Sequence, residues 1–165
     1  MSRDVMLHQR GFTLIEVLLV IVVMGVLLSL AAPSFVTFTA SQKVKTASFD
    51  LYATLVYARS EAIKRRQLVT VAANGGDWAT GWTISTDVGG TPTTLRNQDA
   101  LSGIVTSGTA SVAYRLDGRL NGGATVGVLI QPQTADATIQ NRCIRVDLTG
   151  LPKTTNISST STTCP

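Results

Sequence analysis

Glu16 is the single charged residue in the apolar run from Leu14 to Ala32. A carboxylate set in hydrocarbon costs roughly 2.5–3.5 kcal/mol or more, so an acid in such a run is by default a functional residue. It stands four residues beyond the Gly11–Phe12 junction, a spacing that suits a carboxylate answering a charge created at that junction. No other grouping competes with it. The only histidine, His8, precedes the junction, so a chain cut there has no imidazole for acid–base or triad catalysis. The Gly-Gly pairs at 75–76, 89–90 and 122–123 lack the lysine and the strand–helix setting of a phosphate loop. Asp77, Asp87 and Asp117 are isolated in turn-like sequence, where aspartate is an ordinary turn former, and no dense loop of acids offers the oxygens a calcium ion needs. Neither an enzyme nor a cofactor is expected.

The elements that would position Glu16 are a short leader with Arg3 and Arg10 and then a membrane-length helix. Three readings of this region stand at the level of the residues. One is a secretory signal peptide, whose apolar stretch is about 7–15 residues and ends at an Ala-x-Ala-like site. Ser29, Ala31 and Ala32 before Pro33 imitate such a site imperfectly. A second is a plain single-pass anchor, since about 20 mostly apolar residues span a bilayer. The third is a processed anchor in which Glu16 has a partner. After Arg10 no positive charge recurs until Lys43, which places the leader in the cytoplasm and the rest across the membrane.

The helix is expected to run from Phe12 to about Arg66, because no glycine or proline interrupts residues 34–66. Val44, Ala47, Leu51, Leu55, Ala58 and Ala62 recur at intervals of three and four, and Tyr52 and Ile63 widen that stripe. Lys43, Lys45, Asp50, Arg59, Lys64 and Arg65 mark the opposite face. Gly25 and Pro33 are the weak points, with Pro33 the expected kink. Beyond Arg66 the pattern turns to short β-type runs between Gly, Asn, Asp and Pro. Strands are expected at 68–73, 78–85, 94–97, 111–116, 125–131 and 142–148, with a hairpin turn at 74–77 and another turn at Asp117-Gly118. Residues 87–108 read as loops with at most a short edge strand, and the tail from 154 to 163 as floppy unless tethered. The fold class is α+β: a long N-terminal helix, transmembrane to about residue 32, packed on a mostly antiparallel β-sheet head. The segments are a leader (1–11), the helix (12–66) and a β-rich head (67–165).

The run Gly11-Phe12-Thr13-Leu14-Ile15-Glu16 resembles the class III leader and cleavage site of type IV pilins and type II secretion pseudopilins. The resemblance implies that a prepilin peptidase cuts between Gly11 and Phe12 and N-methylates Phe12. It also implies that Glu16 pairs with the N-terminal amine of a neighbouring subunit during filament assembly, and that Pro33 sits where pilins commonly carry a proline. In the head, Trp78-Ala79-Thr80-Gly81-Trp82-Thr83-Ile84 resembles a strand of the GspH/FimT group of minor pilins and pseudopilins, as do 114–119 and 143–146. From their type alone, Trp78 and Trp82 are expected to be core residues. The implied function is a minor pilin of a type IV pilus or its tip complex, with a type II secretion pseudopilin as the alternative. The implied partners are the major and other minor pilins or pseudopilins, the prepilin peptidase, the inner-membrane assembly platform and membrane lipid. The implied location is the bacterial inner membrane, single-pass with a periplasmic head, and then the filament.

Cys143 and Cys164 are the only cysteines, and a head beyond the membrane permits a disulfide between them. Two buried thiols or a metal site are the other readings, though no cluster of ligating residues accompanies them. The pair resembles the C-terminal disulfide loop of pilins. The formal charge of +4 falls to +3 once Arg3, Arg10 and Asp4 leave with the leader, which is compatible with polyanion contact but does not specify it. Some FimT-like minor pilins bind DNA through a C-terminal Gly-Arg-x-Arg element. Here the corresponding stretch is Gly150-Leu151-Pro152-Lys153, with both arginines replaced, so a DNA-binding role would rest on Arg142, Arg145 and Lys153. Solvated strand residues are the simpler expectation for these three.

Overall fold

The computed structural model describes residues 12–165, apart from the side chains of residues 31–33. Two compact units divide the chain, residues 1–36 and residues 37–165. The helix α1 (Leu14–Arg65) contributes to both. In the first unit its described side chains are exposed throughout. Taken alone, neither Leu14–Leu30 nor Ser34–Arg65 is both long and apolar enough to cross a membrane, whereas the two together pass by length and composition.

In the second unit α1 is amphipathic. Val44, Ala47, Leu51, Leu55, Ala58 and Ala62 are all buried, as their spacing predicts. The expected flanks of that stripe lie elsewhere: Tyr52 and Ile63 are 37% and 48% exposed. They project from the helix beside the buried stripe rather than extending it. Arg59, expected on the polar face, is half-buried, and its Nε donates to the Gly118 carbonyl at 2.9 Å. Arg66 stops the helix by taking a left-handed conformation at φ 52°, and the Gln67 N–H closes back on the Ala62 carbonyl at 3.3 Å.

The head holds eight strands: β1 (Val69–Ala73), β2 (Trp82–Val88), β3 (Thr91–Gln98), β4 (Ile104–Gly108), β5 (Ser111–Tyr114), β6 (Val126–Pro132), β7 (Asn141–Val146) and β8 (Pro152–Ile157). They form two four-stranded sheets rather than one, ordered β3-β2-β1-β5 and β4-β6-β7-β8, with every pairing antiparallel. The expected edge strand at 94–97 is present as β3, extended at both ends. β4 occupies a stretch that reads as loop, and β8 takes in the start of the tail, whose expected floppiness the disulfide at Cys164 removes. The inner faces follow the period-two rule. Val71 lies opposite Ile84 and Val112 in the first sheet, and Val128 lies opposite Ile144 in the second. These residues and the buried stripe of α1 form one hydrophobic cluster.

The Trp78–Trp82 segment is not one strand. Trp78–Thr80 forms a 3₁₀ turn, and β2 begins only at Trp82. Gly81 makes the switch. Its φ is +93°, and a Cβ there would lie 2.3 Å from the Gln98 carbonyl oxygen, so this position requires glycine. The expected hairpin turn at 74–77 is part of that same link, with Asn74–Gly76 in a separate 3₁₀ turn. Both indoles are core residues whose N–H groups are satisfied. Trp78 donates to the Thr109 carbonyl at 2.8 Å and Trp82 to the Thr54 hydroxyl of α1 at 3.1 Å.

Ala58 is fully buried on α1, so Ala58→Leu should overpack the helix–sheet contact and cost about 1–3 kcal/mol. Tyr52→Ala, one turn and a half earlier but facing outward, should stay within about 0.5 kcal/mol of wild type. Thermal unfolding of the detergent-solubilised chain measures both.

Candidate functional site

The N-terminal site is built by Thr13. As the residue before α1, it accepts the Glu16 N–H on its hydroxyl at 3.3 Å, while its own N–H donates to Glu16 Oε2 at 3.4 Å. This is a reciprocal capping box, which satisfies two of the amides that a helix start leaves without partners. It also holds the carboxylate toward the N-terminal end of α1, on the side of Phe12. A negative charge in the first helical turn is favoured by the helix dipole as well. The sequence carries a signal for Thr13, because Thr-x-x-Glu just before an apolar run is the signature of such a box. Phe12 is 84% exposed, and the large apolar side chains from Leu14 to Leu30 are uncovered. Gly11 lies outside the described residues, and so does the side chain of Pro33.

The C-terminal features sit on the second sheet. Cys143 and Cys164 are joined in a disulfide across 21 residues. Cys143 lies on the outer face of β7, opposite Leu129 and Thr155. Cys164 rests against Gly127, where a Cβ would come within 3.2 Å of its sulfur. The returning tail is also held by Asn141, whose buried amide donates to the carbonyls of Ser158, Ser159 and Ser161 at 3.1–3.2 Å. Nothing in the sequence marks Asn141 for this work, since a buried asparagine is recognised only once its acceptors are in place.

Of the three basic candidates, Lys153 at the sheet edge neighbours each of the arginines, while Arg142 and Arg145 are on opposite faces of β7. Arg145 is the register partner of Lys153, so both project from the outer face. Arg142 lies opposite Ile130, which points into the core, so it leaves β7 on the inner face and emerges beside α1. Lys153 Nζ is 3.9 Å from Asp147, an acid held below the usual carboxylate range first by the Thr149 hydroxyl and more weakly by Lys153 itself. Its charge is therefore partly offset. At the end of α1, Lys64 and Arg65 both pair with Glu61.

Thus an acid-capped apolar helix precedes a head of two antiparallel sheets closed by a C-terminal disulfide. A family model described as type II transport protein GspH matches residues 47–150. The chain belongs to the GspH family. A second model, the prokaryotic N-terminal methylation motif, matches residues 6–32. A fimbrial protein of Pseudomonas aeruginosa is 29% identical over 126 residues, covering 74% of this chain and 77% of that protein. The crystal structure of the P. aeruginosa type IV minor pilin FimU superposes with a TM-score of 0.61 at 22% identity, over 78% of this chain and 99% of that one. The minor pseudopilin EpsH of the Vibrio cholerae type 2 secretion system superposes at 0.56 with 13% identity, over 72% and 99%. These two likenesses concern the fold. This GspH-family chain thus combines a pilin-like fold with an N-terminal methylation motif that spans Gly11–Phe12.

A disulfide closing a loop of this length stabilises by about 3 kcal/mol. Cys164→Ala should lower stability by about 2–4 kcal/mol. Hydrogen exchange should rise at 158–163 while the amides of Val69 and Val71 keep their protection.

Proposed function

We propose that this chain is a minor pilin, a structural subunit of a type IV pilus or of its priming complex at the tip. The observation that carries the reading is the uncovered apolar surface from Phe12 to Leu30, with one carboxylate held at its N-terminal end behind a methylation motif. The leader, residues 1–11, stays in the cytoplasm under the positive-inside bias of Arg3 and Arg10. A prepilin peptidase cuts between Gly11 and Phe12 and methylates the new amine of Phe12. The helix holds the subunit in the inner membrane as a single pass with the head, residues 67–165, in the periplasm.

Assembly then exchanges lipid for protein around the same apolar surface. Glu16 of one subunit neutralises the Phe12 amine of its neighbour, and the apolar segments bundle in the filament core. A paired charge is far cheaper in that setting than a lone one, which biases subunits toward each other at one register. The partners are the major pilin, other minor pilins and the inner-membrane assembly platform. A minor pseudopilin of a type II secretion system is the second reading, favoured by the description of the matching family model and by the fold of EpsH. Both readings describe a structural subunit, and neither requires catalysis by this chain.

Gly11→Val should leave full-length precursor in the membrane, and recovery of normally sized mature protein by mass spectrometry would contradict the processing step. Glu16→Val should be cleaved normally yet absent from filaments; wild-type incorporation would remove the amine-neutralising role. A tagged chain recovered with sheared surface pili supports the pilus reading. Its confinement to the cell envelope, with loss of an exported protein on deletion, supports secretion.

A further inference from the structure

The second unit of α1 carries two stripes, and the sheets of its own head cover only one of them. Phe49, Tyr52 and Val56 follow one another at intervals of three and four, with Ile63 two turns on, and all are exposed, Phe49 by 70%. The stripe lies about a third of a turn around the helix from the buried one. Between it and β8 runs a groove of about 780 Å³ lined by Lys45, Phe49, Tyr52, Arg142, Lys153 and Thr155, among others. No acid lines it. Among the described residues, Lys45 and Arg142 have no carboxylate within ion-pair distance. The wall formed by β8 is the edge of its sheet, hydrogen-bonded only to β7. An edge of this kind presents backbone donors and acceptors that an incoming strand can claim.

We infer that this groove docks an extended, acidic and apolar segment of a different subunit, which adds a strand along β8. Its apolar side chains would lie on Phe49 and Tyr52, and its carboxylates on Lys45 and Arg142. The proposal rests on the reading of this chain as a subunit that assembles with others. A second copy does not fit the chemistry. Asp87 is the one carboxylate in any of the eight strands, and it lies in β2, which is flanked on both sides by β3 and β1. A peptide fits better than a nucleic acid, because only a peptide can pair its backbone with the open edge of β8.

The test uses the full chain in detergent micelles and a fluorescent synthetic peptide alternating aspartate with leucine, read by anisotropy. Its lysine-for-aspartate counterpart and labelled oligothymidylate serve as competing probes. The acidic peptide should bind, more weakly as salt rises. Lys45→Glu combined with Arg142→Glu should reduce affinity by about tenfold or more. Tyr52→Ala should also weaken binding, and being an exposed position it leaves the fold intact by circular dichroism. Arg145→Glu, the same charge change on the other face, should leave binding unchanged. No binding, equal binding of the lysine peptide, or equal damage from Arg145→Glu would overturn the proposal. Tighter binding of oligothymidylate through Lys45 and Arg142 would overturn it too and assign the groove to nucleic acid. Because binding is read without assembly, failure here leaves the processing and filament-entry results for Gly11→Val and Glu16→Val untouched.

Discussion

Burial of one helical stripe against two sheets is the contact on which the head depends. Val44, Leu51 and Leu55 supply apolar area, while Ala47, Ala58 and Ala62 let the helix backbone come close to the strands. At roughly 25 cal/mol per Å² of apolar surface, burial of such a stripe contributes substantially to the stability of the head. The two sheets share no strand, and their inner faces meet in the cluster that the stripe completes. The polar stitches around it are single contacts: the Trp82 indole to the Thr54 hydroxyl, and the Arg59 guanidinium to the Gly118 carbonyl. They fix register and orientation more than they add stability.

What could be read from the sequence follows from which physical signal is local. The buried stripe of α1 is fully encoded by the spacing of its apolar residues, and β1, β5, β6 and β7 by β-branched runs with turn residues at their ends. β8 was not readable in that way, and β3 only as the short edge strand at 94–97. Their residues are mostly exposed, so neither carries the apolar alternation that marks a half-buried strand. β3 exists because β2 offers it a partner, and β8 because β7 does. Tyr52 and Ile63 illustrate the complementary failure. Apolar type and helical spacing were right, but the side of the helix that the sheets cover is a property of tertiary packing.

The two ends of the chain differed in the same respect. At the N-terminus the junction, the acid and the apolar run are contiguous, and Thr13 completes a motif that needs only four residues. At the C-terminus the tail depends on Asn141, Gly127 and Cys143, each distant in sequence from the segment it holds. The three basic residues show the limit of reading charge as a cluster. Arg142 and Arg145 are close in sequence, yet an odd number of steps along a strand sends them to opposite faces.

The buried stripe has a mechanical consequence. A pull along the axis of α1 loads the stripe in shear, because its contacts from Val44 to Ala62 lie along the direction of tension and share it at once. Detaching the helix in that direction means breaking most of them together, whereas prising it away sideways would break them one after another. Resistance to such a pull is set by the rate of unfolding rather than by the folding equilibrium. In a filament under tension the alanines would matter as much as the leucines, since close approach is what makes the helix and sheets slide as a single body or not at all.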